Sequence, residues 1–195
     1  MIPPVQPEVP AERSPGEVPA QTENKFSALD VEAILRECGW FAPHAPVDDD
    51  PALQAWLARA AGFLGPHSLD RDALTELLSL FFRYDAVACM QRTESQTVMS
   101  REGARAVIRE IANRLLDGGD IDSERLSEIV DSVKKSTPYR SREIFHPLRL
   151  ALTGRSGEGE LDRVILLIDS AARLDFAMPV KSCRQRMLEF CAVLD

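Results

Sequence analysis

The chain has 195 residues, a formal charge of −8, 45% apolar residues and only 6% aromatics. That length holds one domain, or one and a half, and the aliphatic bias suits packed helices better than a β-sandwich. The negative charge argues against indiscriminate nucleic-acid binding, which runs on phosphate neutralisation by Lys and Arg, but leaves room for a local basic face.

Residues 1–25 carry Pro3, Pro4, Pro7, Pro10, Pro15 and Pro19 with few large apolar side chains. This composition predicts a disordered Pro- and Glu-rich lead-in. It lacks the basic start and continuous apolar segment of a secretory signal. No apolar run in the chain approaches the roughly 20 residues that span a bilayer, so no membrane partner and a cytoplasmic location are expected.

Residues 26–195 read as one all-α domain, with a first helix and loop over 26–50 and a last helix in 175–195. Ser27 caps the first helix with Asp30 as its capping-box partner. Leu29, Val31, Ile34, Leu35 and Cys38 mark its apolar face, and Gly39 stops it. A loop with Pro43 and Pro46 leads to Asp49 or Asp50, followed by Pro51 in the first turn of a second helix. Leu53, Trp56, Leu57, Ala60, Phe63 and Leu64 form its stripe, and Gly65-Pro66 ends it.

Ser68 or Asp70 opens the next helix, carrying Leu74, Leu77, Leu78, Phe81 and Phe82 at spacings of three and four. Asp85–Met90 is apolar but short, and fits a helix or a strand. Ser100 caps an amphipathic helix to Leu116, closed by Gly118-Gly119. Asp122 caps another, with Ile121 stapled on Leu126 and Leu126, Ile129, Val130 and Val133 on its face. Two more helices are expected over Glu160–Ala172 and Val180–Leu194. The last has Val180, Cys183, Met187, Phe190, Cys191 and Leu194 on its apolar face, with Lys181, Arg184, Arg186 and Glu189 polar. The total is seven to nine helices, in a right-handed cage or superhelix rather than a four-helix bundle.

Catalytic and metal motifs are missing. Cys38, Cys89, Cys183 and Cys191 form no C-x-x-C pair, and His44, His67 and His146 are scattered, so reduced thiols and no metal are expected. There is no G-x-x-x-x-G-K-[ST], no G-x-G-x-x-G after a strand and no G-x-S-x-G. Gly154, Gly157 and Gly159 follow a helix rather than a strand, which argues against a phosphate-binding loop. No cofactor is expected. Asp48-Asp49-Asp50 suits a helix N-terminus rather than acid–base work.

One stretch breaks the acidic pattern. Between Val133 and Arg155 the cations Lys134, Lys135, Arg140, Arg142, Arg149 and Arg155 stand against Glu143 alone. Within it, Glu143–Leu161 reads as an aromatic-led turn, a short apolar helix, a Gly stop and a Gly-rich acidic turn into a second helix. The order Phe145, Pro147, Leu148, Arg149, Ala151, Leu152, Thr153, Gly154 resembles the C-terminal anticodon-binding region of glutamyl-tRNA synthetases of bacterial type. The resemblance covers Leu53 to about Leu174. It implies an all-α helical cage that binds tRNA for glutamate, with Arg149 and Leu161 approaching anticodon bases. A planar, forked guanidinium suits that task. Arg142, Arg155, Lys134 and Lys135 complete the expected RNA face.

The H-I-G-H and K-M-S-K-S types of motif that such enzymes need for ATP are absent, so a non-catalytic module acting in trans is expected. The turn departs from the family in placing Glu158, Gly159 and Glu160 where Gly-Pro or Thr-Pro is common. Residues 175–195 add a helix that closes the core or docks a protein partner. With the acidic turn, this supports an alternative: a protein-interaction or regulatory scaffold that no longer binds RNA.

Overall fold

A computed structural model of the chain describes residues 24–41 and 50–194. The lead-in expected over 1–25 and the loop through Asp48 therefore fall mostly outside the described residues. The described residues form ten α-helices and a 3-10 turn, with no strand. The helices are α1 (Ala28–Glu37), α2 (Pro51–Leu64), α3 (Arg71–Phe82), α4 (Ala86–Met90), α5 (Thr93–Met99), α6 (Ala104–Leu116), α7 (Ser123–Ser136), α8 (Arg142–Thr153), α9 (Glu160–Ala171) and α10 (Cys183–Leu194).

Short polar side chains set the helix starts. Ser27 and Asp30 form the full capping box of α1. Asp50 precedes Pro51 and accepts from the amides of Ala52 and Leu53 at 2.9 and 3.0 Å. Asp70 caps α3, Asp85 caps α4 and Asp122 caps α7. Each satisfies amides that have no partner inside the helix. Ser68 instead donates its hydroxyl to the Leu64 carbonyl.

The all-α reading is met, and several details differ. The helices outnumber the seven to nine expected. Asp85–Met90 is helical, and a further short helix, α5, follows it. The polar run Thr93–Thr97 gave no apolar period from which to read α5. Ser100 ends α5 rather than starting α6, which begins at Ala104 behind Gly103 at φ 82°. Glu143–Thr153 is no turn followed by a helix. It is one helix with Pro147 inside, where the missing N–H removes a single rung of the ladder.

The core centres on α9, which packs on α2, α3, α8 and α10. Val164, Ile165, Leu166, Leu167 and Ile168 are all buried, as expected of a helix covered on every side. Trp56 donates to the Leu167 carbonyl at 3.2 Å, and its ring meets Phe81 and Phe176 edge-on. The helix α10 packs on α4, α6 and α8. Arg184 donates to the Leu116 carbonyl at the end of α6, and Arg105 near the start of α6 donates to Leu194 at the end of α10.

The most buried charge lies in α10. Arg186 is 0% exposed, although its charge placed it on the polar side in the sequence reading. It donates to the carbonyls of Leu80, Phe81, Leu152 and Lys181 at 2.7–3.0 Å. Its guanidinium also lies 4.8 Å from the centre of the Tyr84 ring. Burial pushes its pKa down to about 10, which leaves it charged at neutral pH. Leu29, placed by spacing on the apolar face of α1, is 74% exposed.

Candidate nucleic-acid interface

The basic stretch runs from the end of α7 through the 137–141 loop into α8 and the turn beyond it. Arg140 closes the carboxyl end of α7 by donating to the carbonyls of Lys134, Thr137 and Tyr139. Ser141 precedes α8 at φ 40°, ψ −110°, a strained conformation for a residue with a Cβ. Tyr139 lies over Gly103, where any added Cβ would strike its ring.

Arg149 sits on the third turn of α8 and points inward. Its residue is 7% exposed. Nε and an Nη meet the two Asp162 carboxylate oxygens at 2.8 Å each, and the other Nη donates to the Gly157 carbonyl at 2.8 Å. Phe145 lies 5.1 Å below it. The Asp162 carboxylate holds the guanidinium above its ordinary pKa, against the opposing effect of burial. The expected outward orientation of Arg149 is corrected by this inward pairing with Asp162. The fold brings α9 back against α8, so the forked guanidinium donates to both oxygens of the Asp162 carboxylate. Leu161, which the resemblance brings near a base and which its apolar side chain suits equally to the core, is 2% exposed and packs in the core.

The turn after α8 is tied at nearly every residue. Gly154 ends the helix at φ 77° and its carbonyl accepts from Arg92 at 3.2 Å. Thr153 Oγ1 accepts from the Arg155 amide. Glu94 on α5 accepts from both the amide and the hydroxyl of Ser156, and this pulls its pKa below the usual carboxylate value. Arg149 holds Gly157. Glu160 accepts from the Glu158 amide at 3.1 Å. A loop fixed by so many partners is preorganised.

The remaining expected cations are outward but mostly paired. Lys134 meets Asp131 at 2.9 Å, Arg142 meets Glu158 at 4.0 Å and Arg155 meets Glu76 at 3.3 Å. Lys135 is exposed and forms no ion pair among the described residues. Beside this edge lies an open cavity of about 450 Å³ between α7, α8 and α9, lined in part by Lys134, Phe145, Asp162 and Arg163. His146 approaches Arg101 at 3.3 Å, and burial, then the charges of Arg101 and Arg149, lower its pKa. Sequence reasoning missed Asp162, Glu94 and Glu76 as partners, because each reaches the turn from another helix.

The chain matches the anticodon binding domain family over residues 31–174. It belongs to that family. The matched span holds α8, the tied turn and α9 entire, and α10 lies beyond it. Glutamate–tRNA ligase of Exiguobacterium sibiricum is 27% identical over 123 residues, covering 62% of this chain and 25% of that protein. The enzymes of the same name from Bacillus velezensis and Bacillus licheniformis are 30% and 28% identical over 95 residues, 49% of this chain and 19% of theirs. The chain thus spans a quarter or less of the length of these curated relatives. No solved structure matches it. Among the described residues no helix is long and apolar enough to cross a membrane, and no group of three or more His, Cys, Asp or Glu is placed to hold a metal ion.

Proposed function

We propose that this chain is a non-catalytic tRNA-binding module. It meets the anticodon loop of a glutamate tRNA with the edge formed by Lys134, Lys135, Arg142 and Arg155, and works in trans with a partner. The observation that carries the reading is membership of the anticodon binding domain family across the whole α8–turn–α9 unit. In this reading Arg149 and Leu161 act from inside: one fixes the turn and the other anchors it. Phosphates are then met by outward cations on a preorganised loop.

The test is binding of a glutamate tRNA transcript by filter assay or anisotropy across a salt series. Engagement of four cations predicts a slope of log affinity against log salt of about −3. The pair Lys135→Ala and Arg142→Ala flattens that slope by roughly half. Absence of binding at low salt rejects the proposal.

A second reading, a protein-interaction scaffold that has lost RNA, is favoured by one observation. The outward Lys134, Arg142 and Arg155 each already hold a carboxylate. Leu188 of α10 is an exposed apolar side chain, and recovery of one defined protein partner after nuclease treatment, lost on Leu188→Asp, selects this reading over the first.

A further inference from the structure

Two carboxylates on the candidate face belong to elements other than those carrying their cations. Glu76 reaches from α3 to Arg155 in the turn at 3.3 Å. Glu158 reaches from the turn to Arg142 at the start of α8, at 4.0 Å. Both pairs lie in water: the side chains are 39% and 68% exposed in the first and 79% and 72% in the second. Among the described residues, the Glu76 carboxylate accepts a hydrogen bond from Arg155 alone, and Arg142 and Glu158 face each other at 4.0 Å, too far apart for a direct hydrogen bond.

The pair of Arg149 and Asp162 is of another kind. That pair is bidentate, with side-chain exposures of 9% and 26%, and it ties the turn. The two outer pairs cannot serve the same end, because exposed ion pairs contribute little to stability. What they do alter is the field in front of the face. Each places a negative charge within a few ångströms of a cation that an anion would otherwise meet. A phosphate chain must displace the carboxylate and then remain beside it.

Resting on the tRNA reading above, we infer that Glu76 and Glu158 are specificity-determining residues that mask Arg155 and Arg142 from indiscriminate polyanions. Specificity of this kind is built by a repulsive element as well as an attractive one. A polyanion with only charge to offer gains little at a masked face. An RNA whose shape matches the tied turn gains contacts enough to displace both carboxylates.

The experiment compares the full chain, Glu76→Gln with Glu158→Gln, and a control, Asp117→Asn with Asp175→Asn. The control removes the same charge from Asp117, which follows α6, and from Asp175, in the connection between α9 and α10, neither of them part of the turn. Each protein is titrated with poly(U), a single-stranded chain without fixed shape, and with a glutamate tRNA transcript, across a salt series. The masking inference expects the Glu variant to bind poly(U) about tenfold more tightly than the control, with a salt slope steeper by about 1.4, the value for two cations on a single strand. Its preference for tRNA over poly(U) falls by a similar factor. Equal poly(U) affinity in the Glu variant and the control overturns the inference, as does tighter binding with an unchanged slope. If the unaltered chain binds no tRNA, the proposed function fails by itself, and the poly(U) comparison still decides the masking.

Discussion

Replacing Arg186 by Met tests the deepest polar contact of the fold. The guanidinium is fully buried and supplies donors to four carbonyls. Leu80 and Phe81 close α3, and Leu152 closes α8, so these are helix-end groups with few other partners. Met matches the stem of Arg but donates nothing, so the carbonyls are left in a dry interior. Hydrogen bonds to a charged group contribute about 1.5–3 kcal/mol each, and unsatisfied buried acceptors cost about 1–3 kcal/mol. Removing the charge also ends its desolvation penalty. A net loss of about 4 kcal/mol follows, a large part of the roughly 5–15 kcal/mol that holds a domain folded. With a urea slope of about 2 kcal/mol/M, the midpoint falls by about 2 M. Arg186→Lys keeps the charge but not the fork, and falls between the two. Urea unfolding followed by helical circular dichroism measures all three proteins. A midpoint for Arg186→Met within about 0.5 M of the parent, near a 1 kcal/mol change at that slope, refutes the claim that this cage stabilises the fold.

Three further outcomes are expected. Asp162→Asn leaves Arg149 charged without its bidentate partner and destabilises by about 1–2 kcal/mol, since Asp162 keeps some solvent; amides of residues 155–159 then exchange faster, beyond any change in the amides of α2. Gly154→Ala costs about 1 kcal/mol, from the left-handed backbone alone, because the added Cβ meets only Tyr84 at 4.0 Å; Gly103→Ala costs more in thermal unfolding, because Tyr139 must also move. Glu94 is depressed in the fold, so its tie to Ser156 is fully present above the ordinary Glu pKa of 4.5 and is lost as pH falls through the lower folded value; the Ser156 amide resonance titrates below pH 4.5, and Glu94→Gln abolishes that titration.

Local rules carried much of the fold. Ser27, Asp70 and Asp122 cap helices because a short acceptor before an apolar period has one obvious use. Gly39 and Gly154 end helices at positive φ for the same kind of reason. The rules failed where a long-range partner decided the outcome. Thr93–Met99 is helical although its polar run shows little period; Arg92 and Glu94 at its start hold the turn of a distant segment. Arg186 stands three residues from Cys183 and four from Phe190, squarely on the apolar stripe of α10. Spacing alone placed it inside, and only its charge argued otherwise. A charged residue on an apolar stripe is a signal in itself, because a buried charge demands a set of acceptors.

Arg149 shows why resemblance of a motif falls short of identity of role. The run from Phe145 to Gly154 led to the expectation of a solvent-facing Arg149, yet the side chain is committed to Asp162 and Gly157. The local sequence contained half of this result. An acid two positions into the first turn of α9 is expected from the helix dipole alone. What it could not contain is that α8 and α9 fold back so that this acid and this guanidinium meet at 2.8 Å. Once they meet with little exposure, freeing the Arg means stranding Asp162 as well, whereas freeing Arg142 or Arg155 strands only exposed carboxylates. The ease of releasing a cation therefore rises from the interior of the turn to its rim. On the proposed tRNA-binding reading, phosphate contact belongs at the rim, while Arg149 and Asp162 set the shape of the turn from within.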